Sequence, residues 1–314
     1  MPPEQDNHRP LPFRQEELLA DVILRLIGEA GGEPGAAVRH IAVGASSPIP
    51  ATAALLARHR GGGVPRVSML QSAKHNFFTD GGRELFDLAG QGRIDVFFLS
   101  GGQIDGEANI NLVSVGEYAH PTARFPGSFG SAYMYYVVPR VILFRLEHSR
   151  RTLVPKVDFV SAPGVSPPNV YRPGGPVALI TPRCLFAFDK ARRRFRLESV
   201  HPGHTVEEVL DETGFDFDRP ESGAAPTTPA PDARTLAEMR EVVVPLLAEN
   251  YPNFAASVFG VGAVAPPTPT LPRKGGGSID GASSASQQTP SPLTGEGRGG
   301  GGYAPSQGTH QDGQ

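Results

Sequence analysis

The chain has 314 residues, of which 39% are hydrophobic and 19% are charged, and its formal net charge is −3. This near-neutral balance gives no electrostatic basis for binding nucleic acid or an anionic membrane surface. The single cysteine, Cys184, excludes a disulfide within the chain and is predicted to be a small core residue rather than a nucleophile. No apolar run approaches the length that spans a bilayer, so we expect a cytoplasmic protein.

One folded domain is predicted over residues 13–264, between two disordered tails. Residues 1–12 are polar and rich in proline, with no apolar signal core. From residue 265 onward, 19 of 50 positions are glycine or proline. Such a segment cannot bury enough apolar surface to offset the entropy lost on ordering. We therefore expect disorder over 1–12 and 265–314.

The first half of the chain alternates helices with short apolar strands. Residues 14–28 carry apolar side chains at helical spacing and end in glycine. The strands are predicted at 40–43, 67–70 and 94–99, with helices over about 48–58 and 82–90. Small or polar residues follow each strand. This rhythm predicts an α/β fold with an open, mostly parallel sheet, flanking helices and a site along one edge.

The second half is predicted to be richer in strands, because β-branched and aromatic residues dominate its apolar runs. The predicted strands cover residues 133–138, 141–146, 156–160, 177–180, 185–188 and 195–200. Two helices follow, and each opens with a capping-box pattern. These patterns pair Thr205 with Glu208 and Thr235 with Glu238. The segment between the two helices, 219–231, is predicted to be a linker.

The stretch 94–111 carries the densest set of groups for chemistry. An apolar run typical of a buried parallel strand ends in Ser100-Gly101-Gly102. A glycine pair at that position lets a ligand approach backbone N–H groups closely. Four hydrogen-bonding side chains follow: Gln103, Asp105, Asn109 and Asn111. The alternative interpretation is a glycine-rich turn whose asparagines bond the backbone.

This stretch resembles the signature loop of the B (β) subunit of family I CoA-transferases, of the glutaconate CoA-transferase type. Further blocks resemble the same subunit in the same order, at 116–118, 124–130, 156–164 and 213–216. The resemblance covers roughly residues 14–250. It implies the fold of a CoA-transferase subunit, a CoA thioester as substrate with no bound cofactor, and an α subunit as partner in a heteromeric enzyme.

In the resembled family, the carboxylate of a glutamate just after the second strand attacks the acyl-CoA thioester, which forms a mixed anhydride and releases CoA. The released CoA then attacks the anhydride to give an enzyme-bound glutamyl thioester, which is covalent catalysis by a carboxylate. That glutamate lies in a Glu-Ser-Gly pattern. The matching residues here are Gln71-Ser72-Ala73. An amide is not anionic and is not a usable nucleophile at neutral pH. The chain therefore departs from the family at its central catalytic position.

Four interpretations of Gln71 are open. The chain could be an inactive subunit that serves as a structural partner. The complex could hydrolyse a CoA ester without a glutamyl intermediate, with Gln71 orienting a water or donating to an oxyanion. The partner subunit could supply the carboxylate. The alignment of Gln71 with the family's glutamate could be out of register, in which case another carboxylate of this chain would be the nucleophile.

Three nearby residues are candidates for a substitute role. Glu107 lies inside the signature loop, where the family usually carries an aromatic residue, and it is predicted to be a catalytic base or else a solvated loop residue. Asp105 is predicted to hold the loop by bonding backbone N–H groups. His75 could titrate near neutrality, but a structural role is favoured for it.

The resemblance also implies contacts to CoA and substrate. Seven residues are predicted to make them: Gly101, Gly102, Gln103, Asn109, Asn111, Gly127 and Gly130. The first three resemble a loop that stabilises an oxyanion and contacts CoA, and the last two are similar to a glycine-rich loop that helps form the acyl pocket. A hinge between strands is the alternative for that second loop.

No metal site is predicted. His201 and His204 are separated by Pro-Gly, which makes a turn rather than a helix face, and no cysteine or carboxylate lies close in sequence to complete a site. The leading prediction is a β subunit of a heteromeric CoA-transferase-like enzyme that moves CoA between carboxylic acids. The alternatives are a subunit of a CoA-ester hydrolase of the ring-cleaving type and a non-catalytic structural subunit.

Overall fold

A computed structural model describes residues 12–29, 37–220 and 224–260 of the chain. All of these residues belong to one compact unit, Met1–Pro267. The predicted tails lie outside the described residues, apart from residue 12. Their disorder therefore stays a prediction.

The described residues form a seven-stranded sheet and two short hairpins. The strands are β1 (His40–Val43), β2 (Arg66–Met69), β3 (Val96–Leu99), β4 (Gln103–Ile104), β5 (Ile110–Asn111), β6 (Ser114–Val115), β7 (Ala123–Arg124), β8 (Arg140–Phe144), β9 (Pro176–Ile180), β10 (Cys184–Asp189) and β11 (Arg194–Val200). The large sheet has the order β11-β10-β9-β8-β3-β1-β2. Strands β9, β8, β3, β1 and β2 are parallel, whereas β10 and β11 are antiparallel to their neighbours. The predicted open, mostly parallel sheet is confirmed.

Helices cover both faces of the sheet. They are α1 (Gln15–Glu29), α2 (Pro48–Arg60), α3 (Gly81–Gly90), α4 (Ser131–Val137), α5 (Val206–Glu212), α6 (Ala233–Glu238), α7 (Val244–Ala248) and α8 (Pro252–Phe259), with a π-helical turn (Met239–Val243) between α6 and α7. Along β1, Ile41 and Val43 pack with α1, α2 and the π-helical turn, while Ala42 faces the core that contains α3 and α4. Burial on both faces explains why the central strands β1 and β3 consist mainly of apolar residues.

Two strands predicted in the middle of the chain are wrong. Residues 131–137 form helix α4, because the buried residues Ser131, Met134, Tyr135 and Val138 follow the spacing of a helix face rather than alternating. Residues 156–160 form no strand. Their backbone N–H groups at Val157 and Asp158 donate instead to side chains of the signature loop.

The two predicted capping boxes have different outcomes. Thr205 and Glu208 form both hydrogen bonds of a capping box at the start of α5, as predicted. Helix α6 instead begins three residues earlier than expected, with Asp232 as its cap accepting from the Thr235 backbone. Glu238 instead forms ion pairs with Arg60 and Arg234.

None of the described helices is long and apolar enough to cross a membrane.

Candidate active site at the carboxyl ends of the parallel strands

Parallel strands end at a common edge of the sheet, and ligands of open α/β sheets bind beyond that edge where the strand order reverses. Here the order reverses around β1, since β2 lies on one side of it and β3 on the other. The residues that follow β2, β3 and β8 therefore share this edge. They include Gln71, the pair Gly101 and Gly102, and Arg145.

A pocket of about 510 Å³ lies at this edge, where β3 and β8 end. The backbone after β3 contributes Ser100, Gly101 and Gly102 to its wall. The segment after β8 contributes Arg145, Arg151 and Thr152. The remaining lining residues come from the β5–β7 region and are mainly apolar: Leu112, Val115, Thr122, Ala123, Phe125 and Pro126. The pocket thus combines a glycine backbone, an apolar wall and a cationic wall.

Close packing requires both glycines of the pocket. A Cβ atom on Gly102 would lie 2.2 Å from the Phe125 ring, and one on Gly101 would lie 2.6 Å from the Gln103 carbonyl oxygen. The Gly102 N–H donates to the Asn111 carbonyl over 2.8 Å. Within the described residues, the Gly101 N–H has no hydrogen-bond partner. A buried backbone donor without a partner next to a pocket is a group that a ligand can satisfy.

The amide side chains of the signature loop bond within the protein. Gln103 Nε2 donates to Asp158 Oδ2 over 2.9 Å, and the Asp158 N–H donates back to Gln103 Oε1 over 3.0 Å. Asn111 Nδ2 donates to Gln103 Oε1 over 2.7 Å and to the Ser114 carbonyl over 2.6 Å. Gln103 and Asn111 are both buried. In this geometry their side chains set the shape of the loop, and their predicted contact with substrate stays a prediction.

Asp105 holds the tip of the β4–β5 hairpin, as predicted. Its Oδ1 accepts from the N–H groups of Glu107 and Asn109, over 3.1 and 3.0 Å. Its Oδ2 accepts from the Asn109 amide and from the Val157 N–H. Asn109 in turn accepts from the Gly164 N–H over 3.1 Å. Asn109 thus shares the positioning role of Asp105.

Gln71 lies in the turn that follows β2 and is exposed. Its side chain has no hydrogen-bond partner among the residues that the structure describes. The adjacent Ser72 is buried, and its hydroxyl accepts from the His75 N–H over 3.0 Å. Gln71 does not line the pocket between β3 and β8. It lies at the same edge of the sheet, two strands away from Gly101.

The fold does not place Glu107 near Gln71. It lies at the tip of the β4–β5 hairpin and forms an ion pair with Arg193 over 3.2 Å, both side chains being about half exposed. Arg193 lies in the turn between β10 and β11, and β10 runs antiparallel to β9. That turn is therefore at the edge where the parallel strands begin. Glu107 lines a separate cleft there, together with Lys156 and Asp216.

Gly127 and Gly130 lie before helix α4. Neither of them lines the pocket at the carboxyl ends of β3 and β8. Gly127 has a φ of +102°, and Gly130 packs so tightly on Phe86 that a Cβ atom would lie 2.0 Å from its ring. Phe129, between them, is 87% exposed and lies against the same ring. Their predicted part in an acyl pocket stays a prediction.

The cationic wall of the pocket was missed by sequence reasoning. Glu147 binds both arginines: Arg145 Nη2 lies 3.2 Å from its Oε2, and Arg151 Nε and Nη2 lie 3.1 and 2.9 Å from Oε1 and Oε2. Burial alone would raise the pKa of Glu147, but the Ser149 hydroxyl and Arg151 outweigh it and the pKa is lowered. The available signal was the charge of Arg145 directly after the apolar run of β8, but this residue was included in the predicted strand 141–146.

Behind this wall lies a buried neutral network around His148. Its Nδ1 lies 2.7 Å from Thr181 Oγ1, and its Nε2 lies 3.0 Å from Thr213 Oγ1. Burial, helped by the Arg183 charge, lowers the pKa of His148 to about 4. Burial also raises the pKa of Cys184 to about 12, so this thiol is unreactive at neutral pH, as the sequence indicated.

The predicted turn at 201–204 holds no metal cluster. His201 Nδ1 lies 2.8 Å from Thr228 Oγ1, and His204 pairs with Glu208 over 3.2 Å. Across the described residues, no group of three or more histidine, cysteine or carboxylate side chains is placed to hold a metal ion.

Comparison with known families identifies similar proteins. Residues 65–212 match the protein-family model described as Coenzyme A transferase. The chain is 32% identical over 157 residues to the B subunit of glutaconate CoA-transferase of Acidaminococcus fermentans, covering 48% of this chain and 57% of that relative. It is 35% identical over 158 residues to the B subunit of 3-oxoadipate CoA-transferase of Pseudomonas knackmussii, covering 48% of this chain and 60% of that relative.

A third relative has a different reaction in its name. The chain is 30% identical over 169 residues to the IpdB subunit of a cholesterol ring-cleaving hydrolase of Rhodococcus jostii, covering 52% of this chain and 64% of the relative. The chain thus matches less than two thirds of the length of each of these three relatives. The predicted resemblance to B subunits of family I CoA-transferases is confirmed by these matches together.

Solved structures show the same fold. Glutaconate CoA-transferase from Acidaminococcus fermentans has a TM-score of 0.60 at 23% identity, covering 73% of this chain and 94% of that chain. IpdAB of Rhodococcus jostii has a TM-score of 0.62 at 23% identity, covering 76% and 99%. The decarboxylase AibA/AibB has a TM-score of 0.60 at 24% identity, covering 79% and 99%. The predicted CoA-transferase-subunit fold is confirmed.

Proposed function

We infer that this chain, a homologue of the B subunits of family I CoA-transferases, is the β subunit of a heteromeric enzyme that acts on CoA thioesters of carboxylic acids. The leading activity is transfer of CoA between carboxylic acids, with no bound cofactor. The partner is a related α subunit, as the paired names of IpdAB and AibA/AibB suggest. The same proposal includes a cytoplasmic location and a single folded domain over residues 13–264.

One observation carries this proposal: the Gly101 N–H, which has no hydrogen-bond partner within the described part of the chain, lies beside a pocket at the carboxyl end of β3. When a nucleophile attacks a thioester, the carbonyl oxygen becomes an oxyanion, and a fixed backbone donor stabilises that charge. Glycine at this position lets the carbonyl come close. The bonds of Gln103 and Asn111 hold the loop, so the donor needs little reorganisation during the reaction.

The nucleophile is the open part of the mechanism. At position 71 the amide of glutamine cannot form the anhydride and glutamyl thioester of a transferase. In a transfer reaction, we expect the carboxylate to come from the partner subunit. The thioester carbon would then be attacked at the subunit junction, while this chain supplies the oxyanion donor and the pocket.

A second function, hydrolysis of a CoA ester, is favoured by a specific observation. Gln71 is exposed and its side chain is uncommitted among the described residues, so its amide can orient a water molecule. The likeness to the ring-cleaving hydrolase subunit agrees with this possibility. In that case water, rather than a carboxylate, takes the acyl group, and free CoA thiol is released without an acceptor acid.

The deciding experiment uses the full chain co-purified with its encoded partner. The complex is incubated with a panel of CoA esters, with and without acetate or succinate, while free thiol and new acyl-CoA are followed. New acyl-CoA that depends on the acceptor supports transfer. Thiol release without an acceptor supports hydrolysis and overturns the leading activity. If the complex shows no activity with any CoA ester of the panel, the result supports the third possibility, a non-catalytic structural subunit.

Two variants separate the candidate bases within this chain. Gln71→Ala tests whether the amide takes part, and Glu107→Gln tests whether the base has moved to the signature loop. Loss of activity in the second variant alone would favour Glu107. Loss in neither would favour a carboxylate of the partner subunit. Circular dichroism of each complex controls for misfolding.

A further inference from the structure

We propose that a cavity between helix α2, the π-helical turn and the segment after β2 binds a small amphipathic monoanion, a short aliphatic carboxylate. This α2 cavity has a volume of about 450 Å³. It shares no lining residue with the pocket at the carboxyl ends of β3 and β8. The cavity is therefore separate from the place assigned to the CoA thioester, and the proposed function does not involve it.

Basic side chains form part of the wall of the α2 cavity. Arg58, His59 and His75 line it, and among the residues that the structure describes no carboxylate does so. Arg58 is partly buried, and its one side-chain hydrogen bond within that part of the chain goes to His75 Nδ1 over 3.4 Å. A guanidinium group that is partly removed from water is stabilised most by an anionic acceptor. The cavity therefore favours an anion.

The hydrogen bond from Arg58 fixes the tautomer of His75. Arginine only donates, so Nδ1 of His75 accepts, and the proton of the neutral ring is on Nε2. Nε2 is buried and has no hydrogen-bond partner among the described residues. An oxygen atom of a ligand in the cavity can supply the acceptor that this N–H lacks.

The charge of this wall suits a monoanion. Burial lowers the pKa of His75, helped by the charges of Arg58 and Lys74, so the ring is neutral at pH 7. Glu249 acts in the opposite direction, but it forms an ion pair with Lys74 over 2.6 Å. Arg58 thus supplies one full positive charge beside a neutral donor, which matches a single carboxylate.

The remaining lining side chains are apolar and select the body of the ligand. Leu55 of α2 and Val243 of the π-helical turn are buried, and Leu246 of α7 is 38% exposed. An ion without an apolar part, such as phosphate, would leave these side chains in contact with water. A short hydrocarbon chain would cover them, which contributes about 25 cal/mol for each Å² of apolar surface buried. Charge and apolar surface together indicate an aliphatic carboxylate.

His75 connects the α2 cavity to the turn that carries Gln71. The His75 N–H donates to Ser72 Oγ over 3.0 Å, and the His75 carbonyl accepts from the Met69 N–H over 2.9 Å. Ser72 directly follows Gln71. The cavity is also lined by a π-helical turn, an irregularity that frequently lies at functional sites. A ligand bound to His75 would therefore hold this turn in place.

The first arm of the test measures binding. The full chain, co-purified with its partner, is titrated calorimetrically with hexanoate and with 1-hexanol, which keeps the chain and lacks the charge. We expect hexanoate to bind about tenfold more tightly, the effect of one charge-assisted hydrogen bond. Equal affinity for the two compounds would overturn the proposal. No binding of hexanoate, as when the partner subunit covers the cavity, would also overturn it.

A pair of variants at Leu246 locates the bound ligand. Leu246→Gln and Leu246→Glu introduce side chains of the same size that differ by one negative charge. The glutamate should weaken hexanoate about tenfold relative to the glutamine, because like charges repel at close range. Equal affinities in the two variants would place hexanoate elsewhere and refute the α2 cavity as its site.

A matched arginine control lies at the start of β2. Arg66 forms no ion pair within the described ranges, packs on the Phe77 ring at 4.2 Å and does not line the cavity. Arg58→Gln should weaken hexanoate about tenfold, whereas Arg66→Gln should leave its affinity unchanged. Equal effects of the two variants would mean non-specific attraction to positive charge and would overturn the proposal.

The second arm follows the turn that carries Gln71. At about ten times its Kd, hexanoate should slow amide hydrogen exchange over residues 70–75 about tenfold, since opening of the turn then requires release of the ligand. Leu246→Glu should remove this protection, and Leu246→Gln should keep it. Unchanged exchange in the presence of bound hexanoate would refute the contact with His75.

Discussion

Gln103 and Asp158 exchange hydrogen bonds across 55 residues of sequence, side chain to side chain over 2.9 Å and backbone N–H to side-chain oxygen over 3.0 Å. Gln103 Oε1 also accepts from Asn111. This pair joins the glycine loop after β3 to the segment that follows β8. The position of the oxyanion donor in the proposed reaction therefore depends on a buried amide side chain.

Removing that amide should destabilise the chain. Gln103→Ala leaves the Asp158 N–H unpaired and takes one acceptor from Asn111, which costs about 1–3 kcal/mol when donors are left without partners. The measurement is the Tm of the purified chain by differential scanning calorimetry. Gln71→Ala changes an exposed glutamine whose side chain bonds to none of the residues described in the structure, so it is the control and should change stability by less than about 0.5 kcal/mol. Equal Tm values for the two variants would contradict the role of Gln103.

The glycine pair makes a prediction about activity. Gly102→Ala places a Cβ atom against the Phe125 ring and should displace that ring into the pocket. We expect a loss of at least about tenfold in kcat/KM of the complex, since misplacing reacting groups by about 1 Å can cost a hundredfold. Gly28→Ala, where nothing lies within 4 Å of the new atom, is the control. Normal turnover in Gly102→Ala would place the reacting carbonyl elsewhere.

Two buried histidines predict acid sensitivity. Burial lowers the pKa of His148 and of His201 to about 4, against 6.5 for an exposed imidazole. Between pH 6.5 and 4 the unfolded chain binds more protons at these sites than the native chain, so stability falls as the pH falls through this window. At pH 5 the expected loss relative to pH 7 is about 2 kcal/mol for each histidine.

The pH prediction is checked by following Tm from pH 7 to pH 4. His148→Gln should flatten part of this dependence, whereas replacement of the exposed His120 should not. Proton NMR of the ring resonances gives an independent readout. Titration of His148 near pH 6.5 in the native protein would contradict the assignment of a buried neutral ring.

An ion pair joins helix α1 to the π-helical turn. Glu17 is 1% exposed, and Arg240 donates to it through Nε and Nη2 over 2.6 and 2.9 Å. Arg240→Met leaves a buried carboxylate unpaired. Because Arg240 is about half exposed, we expect about 2 kcal/mol of destabilisation, below the usual cost of breaking a fully buried pair.

A double-mutant cycle tests this pair. Glu17→Gln, Arg240→Met and the double variant are compared by Tm. Coupling of about 1 kcal/mol or more supports the interaction, while additive effects would mean that the pair contributes little. Arg234→Met, at a largely exposed partner of Glu238, is the control.

Local patterns were sufficient for most of the parallel sheet. The runs at 40–43, 67–70 and 94–99 were placed correctly because they are mainly apolar and are followed by glycine or polar residues. The same rule failed at 133–138. Aromatic residues have high strand propensity, but burial of Ser131, Met134, Tyr135 and Val138 against the hairpin and α3 selects a helix.

The candidate site was predicted only in part. Gly101 and Gly102 were found because a glycine pair after a buried strand is a local signal. The cationic wall was not found, since Arg145 was predicted to belong to a strand and only the tertiary structure places Arg145 and Arg151 at the pocket, where β8 ends beside β3. Glu107 was proposed as a base on its position in the loop, but its partner Arg193 lies 86 positions further along the chain, at the opposite edge of the sheet.

The sequence by itself determined the alternation of helices and strands, the glycine loop and the absence of a carboxylate at position 71, because each of these is a property of consecutive residues. The tertiary structure decided which side chains meet. It pairs Gln103 with Asp158 and Glu107 with Arg193. Such pairings depend on strand order and on loops returning to one edge, and periodicity along the chain carries no information about them.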